Sequence, residues 1–507
     1  MPGVPTAFFA PRCPVSLTEK PARSEETWGE KGPHGFTSVV HEVHDGLALP
    51  DCPVFVPNRR SYGAIWDPGR QDIVVEALTG VHVLPERKDA EIDQAWLLNA
   101  LETTQVEPKI QDEPSIFGGL LIRHFGHFFH ESLSRLWWLG SVDLMSIRMQ
   151  SVAASLQALQ SNVWFFMPPW QNGLDQGKDL LAYMEEILAG LGLEPGRVRI
   201  ITEPTRFRRI LVPFQPWGFA LNPSRVNQLY GCDSIKLMRN LLDGYRPRRH
   251  YVADSAAEAS AAESAIATPY RDTPLRVFVS RSSLPLDLGR LIGDVILDQV
   301  LAEAGYLVFH PENHSISEQI TLYSAADELV FIDGSSLYLL WISRLRPWAT
   351  IKVILRRRQG AWMAERIKDL LPGDTSLHWE VIDALIGEEV SSEKDWLSHN
   401  LVDFREVLRR ILGRTPSALT PHGQQVLQAY AKKLIAETQL ELQASVLQAL
   451  MEALFLPPHR APNSRRKRLK LKLVSLSHRL RSGFGAFFKR FPTPEEALPP
   501  STNRGLP

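Results

Sequence analysis

Residues 276–358 read RVFVSRSSLPLDLGRLIGDVILDQVLAEAGYLVFHPENHSISEQITLYSAADELVFIDGSSLYLLWISRLRPWATIKVILRRR, and this stretch decides the fold. Apolar, β-branched runs at 277–279, 307–309, 329–332 and 351–355 predict strands. Amphipathic segments over 290–303 and 317–326 predict helices between them, with a further helix after Ser336. Strands that alternate with helices give a parallel sheet covered on both faces. Ligands of such sheets bind beyond the carboxyl ends of the strands. Ser280-Arg281, His310-Pro311 and Asp333-Gly334-Ser335 all fall at that edge.

Outward from this stretch the chain is long. At 507 residues it exceeds one hydrophobic core, so two domains with extensions are expected. Hydrophobic residues make up 44% and charged residues 22%, the balance of a globular chain. A net charge of -1 argues against nucleic acid as a partner. Cys13, Cys52 and Cys232 are scattered, without the spacing of a metal site or a disulfide framework, which suggests a reducing compartment. The first residues lack a cationic start followed by a sustained apolar run, and no stretch has the length of a membrane span. A cytoplasmic location is the simplest expectation.

Taken in order, residues 1–50 are rich in Pro, Gly, Glu and Lys and read as a partly ordered arm. Residues 51–245 read as a first α/β domain. Short β-like runs open it, and later strands and helices predict a second parallel sheet. Residues 246–274 contain ADSAAEASAAESAIATP, a low-complexity linker. The stretch quoted above belongs to a second α/β domain over 275–385. A helical extension over 386–456 and a basic tail over 457–507 follow. Within 464–490, Leu469, Leu473, Leu476, Leu480, Phe484 and Phe487 recur at helical spacing among Lys and Arg. That pattern fits a helix on an anionic membrane surface, and equally a cationic tail that binds a partner.

In the first domain, GHFFHESLSRLWWL over 126–139 predicts an amphipathic helix. A helix from Gly126 puts His127, Glu131 and Arg135 at i, i+4 and i+8, in one polar stripe. The stripe presents a possible base with a carboxylate to orient it. It is also what a plain polar face joined by i, i+4 pairs would look like. His124, His127, His130 and Glu131 invite a metal reading, but no HExxH is present, and no metal is expected.

Two sets of residues, in order, resemble the family 61 glycosyltransferases. The first is Gly126-His127-Phe128 with Glu131 and Arg135. The second is Val279-Ser280-Arg281, Arg290 with Asp294, Pro311-Glu312, Glu318-Gln319, Ala326 and Gly334-Ser335. The resemblance covers roughly 117–358. It implies a GT-B-like fold, in which two Rossmann-like domains face a cleft and a helical C-terminal extension follows. It implies an inverting, metal-independent transfer from a nucleotide-sugar donor, with no cofactor. The acceptor would be a glycan or a lipid-linked sugar, and the bacterial branch is associated with capsule and surface polysaccharide. On this reading the first domain is the acceptor side and the second binds the donor.

The chemistry then assigns roles. Growing negative charge on a leaving diphosphate needs guanidinium groups and backbone N–H donors. Arg281 and Arg290 are the expected phosphate contacts, with Gly334, Ser335 and Ser336 offering a helix start, or merely a helix cap. Ser280 and Asp294 complete the donor set, and Glu312 is placed to accept from ribose hydroxyls. His127 is the expected base, Glu131 its partner, Asp333 a second base, and Arg135 a contact for an acidic acceptor. Gly293-Asp294 stands where the family commonly has Asn-Glu, and Asp333-Gly334-Ser335-Ser336 replaces a frequent His-Gly-Ala. These departures leave open a relative without activity that binds nucleotide or glycan, or scaffolds an assembly.

Overall fold

The computed structural model describes residues 39–50, 55–56, 59–60, 63–74, 77, 107–167, 180–246 without 219, 220 and 222, 274–284, 290–371 without 292, 376–385, 402–414 and part of 420–429. The chain divides into two compact units, Met1–Val252 and Ala253–Pro507. Most of the linker over 246–274, most of the helical extension and the whole basic tail lie outside the described residues.

The first unit is built on a mixed sheet. Its strands are β1 (Val40–Pro50), β4 (Gly63–Asp67), β5 (Asp72–Ile73), β6 (Lys109–Gln111), β7 (Ser115–Leu120), β8 (Val163–Phe166), β9 (Val198–Ile201) and β10 (Thr205–Pro213). Two short strands, β2 (Phe55–Val56) and β3 (Arg59–Arg60), pair with each other alone. The main order is β5-β4-β1-β10-β7-β8-β9, with β6 also on β10. The strands from β10 to β9 run parallel, but β1 is antiparallel to both β10 and β4.

The sheet is therefore not the all-parallel one expected. The reason lies in the connections: a parallel neighbour needs a crossover, whereas short turns join only antiparallel strands. Little chain separates β4 from β5, and they pair antiparallel. Helix Ile147–Ala158 and helix Ala182–Gly190 supply the crossovers farther on. Nor does the arm extend to residue 50, because β1 sits inside the sheet. Its Val43 and Ala48 join Ile65, Phe117, Phe166, Phe207 and Ile210 in one apolar cluster.

The second unit matches the sequence reading closely. Its strands are β11 (Arg276–Val279), β12 (Leu307–Phe309), β13 (Glu328–Ile332), β14 (Thr350–Ile354) and β15 (His378–Ile382). All pairs are parallel, in the order β12-β11-β13-β14-β15. This is a doubly wound order, and its switch point lies between β11 and β13.

Helix Asp294–Glu303 covers one face. Its Ile296, Leu297, Val300 and Leu301 pack with Phe278, Val330, Ile332 and Ile354. Alternate strand residues point the other way. There helix Ile316–Ala325 brings Tyr323 edge-on to Phe331, with ring centres 5.3 Å apart. Helix Ile316–Ala325 opens with a capping box: Glu318 N–H donates to Ser315 Oγ at 3.2 Å, and Ser315 N–H to Glu318 Oε2 at 2.7 Å. Glu318 is thus occupied at the helix start.

The boundary at residue 385 leaves out part of this core. Helix Phe404–Leu412 packs Phe404, Val407, Leu408 and Ile411 onto the same face as helix Asp294–Glu303. Asp403 caps it, accepting from Arg405 N–H at 3.1 Å and Glu406 N–H at 3.3 Å. A strongly amphipathic segment of this kind needs an apolar surface to cover, and the sheet provides it. Among the described residues, no helix is long and apolar enough to cross a membrane.

Candidate functional site

Each sheet has its own switch point, and each gathers polar side chains there. In the first unit the chain leaves β7 towards β8 on one side, while β10 lies on the other. The carboxyl ends of β7 and β10 flank the break. From β7 the chain enters the segment that carries His127. From β10 it enters Phe214-Gln215-Pro216-Trp217-Gly218.

The His127 segment is not one regular α-helix. A short α turn at Phe125–His127 passes into a π turn at Phe128–Ser132 and then a 3₁₀ helix at Ser134–Leu139. Leu133 N–H donates to Phe128 O at 3.0 Å, which closes the wide turn. The extra residue lets Phe128 and Phe129 both enter the core, and it breaks the i, i+4, i+8 register on which the polar stripe was predicted. His127 remains half-buried, its ring centre 5.1 Å from that of His124. Glu131 and Arg135 turn inward and are buried.

The inward groups meet the β10 loop. Gln215 Nε2 donates to Glu131 Oε2 at 2.9 Å and to Trp217 O at 2.9 Å. Both acceptors fix the amide with its nitrogen toward the carboxylate. Trp217 Nε1 donates to His130 Nδ1 at 3.1 Å, and the two ring planes lie 11° from parallel. An indole N–H only donates, so Nδ1 of the buried His130 accepts and its proton sits on Nε2.

Arg135 donates to Pro213 O at 2.8 Å, and its guanidinium carbon lies 5.6 Å from the centre of the Phe117 ring. That placement clamps β7 to β10 and takes Arg135 away from an acidic acceptor. Gly119 makes the room, since a Cβ there would come within 2.5 Å of Arg135 Cδ.

In the second unit, β11 ends at Ser280-Arg281 and β13 at Asp333-Gly334, on either side of the switch point. Arg281 is half-buried. A Cβ on Gly334 would fall 2.4 Å from Arg281 Nη1, so the guanidinium lies against the bare backbone of that turn. Burial pulls the Arg281 pKa down, and Asp333 and Asp294 counter it. The side chain stays a cation at any ordinary pH.

Asp333 is fully enclosed. Its Oδ2 accepts from Arg356 N–H at 2.8 Å, and its Oδ1 faces Arg356 Nε at 3.3 Å and Arg357 Nε at 3.5 Å. A Cβ on Gly360 would run into Asp333 Oδ2 at 2.2 Å. A base must reach a substrate hydroxyl, and this carboxylate is walled in by its own chain. Asp333 therefore serves as an anchor for the guanidinium groups, not as the second base.

Arg290 and Asp294 also differ from expectation. Arg290 Nε and Nη2 grip Asp294 at 2.9 and 2.6 Å, and Nη1 donates to Leu284 O at 3.0 Å. Both side chains are buried. They tie the loop after β11 to the start of helix Asp294–Glu303 and do not line the edge. Gly293 explains one departure from the family pattern. Its φ is 89°, a conformation that Gly and Asn share, so the exchange keeps the backbone.

Ser280 is buried, and its Oγ accepts from Ser282 N–H at 3.1 Å. Ser282 Oγ donates to Asp298, whose carboxyl is pushed up by burial against the hydrogen bonds from Ser280 and Ser282. Glu312 is exposed after β12, with Oε1 3.8 Å from His310 Nδ1. Gln319 braces that loop, donating to Pro311 O at 2.9 Å and His314 O at 3.0 Å. Ser335 and Ser336 are half-buried and begin a 3₁₀ helix, Ser335–Trp341, where an α-helix was expected.

Sequence reasoning weighed His130 only as a metal ligand, and it missed Gln215 and Trp217 in the first unit and Asp298, Arg356 and Arg357 in the second. Position would have found most of them: Gln215 and Trp217 follow β10, and Arg356-Arg357 follow β14, each at a carboxyl end. Among the described residues, no group of three or more His, Cys, Asp or Glu side chains is arranged to hold a metal ion.

Residues 125–351 match the family model described as Glycosyltransferase 61. The span includes the His127 segment and extends into β14 of the second unit, and it supports glycosyltransferase activity. No curated protein matches the chain.

Proposed function

We propose that the chain is an inverting, metal-independent glycosyltransferase. It moves a sugar from a nucleotide-sugar donor to a glycan or lipid-linked acceptor in bacterial surface polysaccharide assembly. One observation carries this reading: guanidinium groups gather around a buried carboxylate at the switch point of the doubly wound sheet, where such sheets bind ligands.

In the reaction, the acceptor oxygen attacks the anomeric carbon as the bond from that carbon to the diphosphate oxygen breaks. The electron pair leaves with the diphosphate. Arg281, held against Gly334, offsets the charge that develops there. The acceptor proton passes to His127, the half-buried histidine of the first unit. Glu131, Gln215, His130 and Trp217 form the support beneath that segment, and Arg135 acts by fixing the strands that carry it. Glu312 takes the ribose hydroxyls on this reading. The basic residues of 464–490 would hold the enzyme at the anionic inner face of a membrane, where a lipid-linked acceptor resides.

A panel of nucleotide sugars tests the reading. The wild type should bind one of them and transfer its sugar. Arg281→Ala should weaken donor binding. His127→Ala should leave binding intact and abolish transfer. Binding by the wild type without turnover on any acceptor would favour the inactive, scaffolding relative. Binding to none would overturn both.

A further inference from the structure

The arginines at the carboxyl edge of the second sheet are not equivalent. Arg290 spends its donors on Asp294 and Leu284 O. Arg356 turns back on Asp333, with Nε also donating to Asp333 O at 3.1 Å. Arg357 is different. Its side chain is 13% exposed, and its Nε stands 3.5 Å from Asp333 Oδ1, beyond the ~3.2 Å reach of a good hydrogen bond. Its Nη2 donates only to Met363 Sδ, at 4.0 Å, a weak acceptor. A guanidinium carries about five N–H donors. Among the described residues, most of those on Arg357 meet no acceptor of their own strength, although the group is largely out of water. Burying a charge so poorly satisfied is costly unless a ligand completes it.

Position adds a second argument. Arg357 follows β14, and Arg281 follows β11 across the switch point. Both stand beside Asp333, and the charge of Arg357 works against that of Arg281. Three cations, Arg281, Arg356 and Arg357, around one carboxylate leave a place for a further anion. Arg358, the next residue, is exposed.

We propose that Arg357 directly contacts the diphosphate of a nucleoside-diphosphate sugar, gripping it from the β14 side while Arg281 grips it from the β11 side. This rests on the donor reading of the same site. Asp333 is then a positioning residue that aims Arg357 at the ligand, and Gly360 is small because the Asp333 carboxylate fills its place.

Calorimetry on the full chain tests the assignment, with UDP, GDP, ADP, CDP and dTDP as probes and the matching nucleosides as controls. The wild type should bind one diphosphate more tightly than its nucleoside. Arg357→Gln should weaken that diphosphate about 10- to 100-fold, the worth of a charge-assisted hydrogen bond, and leave the nucleoside unchanged. Arg357→Lys should fall between, since it keeps the charge and loses the fork. Arg358→Gln should bind as the wild type does. If Arg357→Gln fails to fold, Arg357→Lys decides by the ratio of diphosphate to nucleoside affinity, which must drop. A folded Arg357→Gln variant with wild-type diphosphate affinity overturns the inference and leaves the donor reading standing. A wild type that binds no diphosphate overturns both.

Discussion

Arg290 holds both carboxylate oxygens of Asp294, at 2.9 and 2.6 Å, in a fork closed off from solvent. The pair joins the residue at the end of the loop after β11 to the first turn of helix Asp294–Glu303, so it sets where that helix begins. Removing one partner of a buried pair leaves the other charge uncompensated. Arg290→Ala should therefore destabilise the protein by about 3–5 kcal/mol, read by urea denaturation. As a phosphate contact, the role expected from sequence, Arg290 would instead weaken nucleotide binding when replaced. A stable Arg290→Ala protein with weak nucleotide binding would restore that role.

Gly334→Ala should do the opposite. The φ of Gly334 is 175°, extended backbone open to any residue, so the fold tolerates alanine there. The new methyl group would displace the guanidinium of Arg281. Donor affinity should fall by about tenfold or more, the scale of one charge-assisted contact, with the melting temperature nearly unchanged. Calorimetry and thermal melting on the same sample check both halves.

Gly119→Ala combines two penalties. The φ of Gly119 is 96°, and its Cβ would strike Arg135 at Cδ and Nε. Backbone strain alone costs about 1–3 kcal/mol, and displacing Arg135 loosens the bond to Pro213 O. A drop in melting temperature is the expected reading, and an unchanged value would show that Arg135 gives way freely.

Trp217→Phe keeps one six-membered aromatic ring and removes the pyrrole edge with its donor to His130. Losing the partner of a buried ring nitrogen should cost about 1–3 kcal/mol. Nitrogen NMR of the wild type should show His130 protonated on Nε2, and the variant should lose that preference.

Asp403→Ala removes the N-cap of helix Phe404–Leu412 and should cost about 0.5–2 kcal/mol. A chain ending at residue 385 should not fold its second unit, because the apolar face that this helix covers would be left bare.

How much of this was legible depended on the connection between strands. Each strand from β11 to β14 is an apolar run ended by a polar turn and followed by chain long enough to cross over, and the sequence reading recovers these four within a residue or so. The first sheet hid its antiparallel half, because β1 carries His41, Glu42, His44 and Asp45 among its apolar residues and resembles a polar arm. The site divides in a similar way. Arg281, Gly334 and Glu312 stand at strand ends, where position alone marks them. Arg290, Asp294 and Asp333 have the right chemistry at the right places, and only side-chain direction shows that their charges are spent on each other and on the chain. His127 and Glu131 were read through a regular helix, and a π turn cannot be told from an α turn by hydrophobic spacing.

The pairing of β1 with β10 also governs when the first unit can form. β1 ends at Pro50 and its partner begins at Thr205, with Val40 against Pro213 at one end of the ladder. On a ribosome adding about 5–20 residues each second, β1 leaves the exit tunnel on the order of ten seconds before β10. Over that interval Val40, Val43, Ala48 and Leu49 have no strand to shelter them on that side. The nascent chain carries an unpaired strand edge until β10 emerges, and a pairing between strands so far apart in sequence is expected to slow the folding of the first unit.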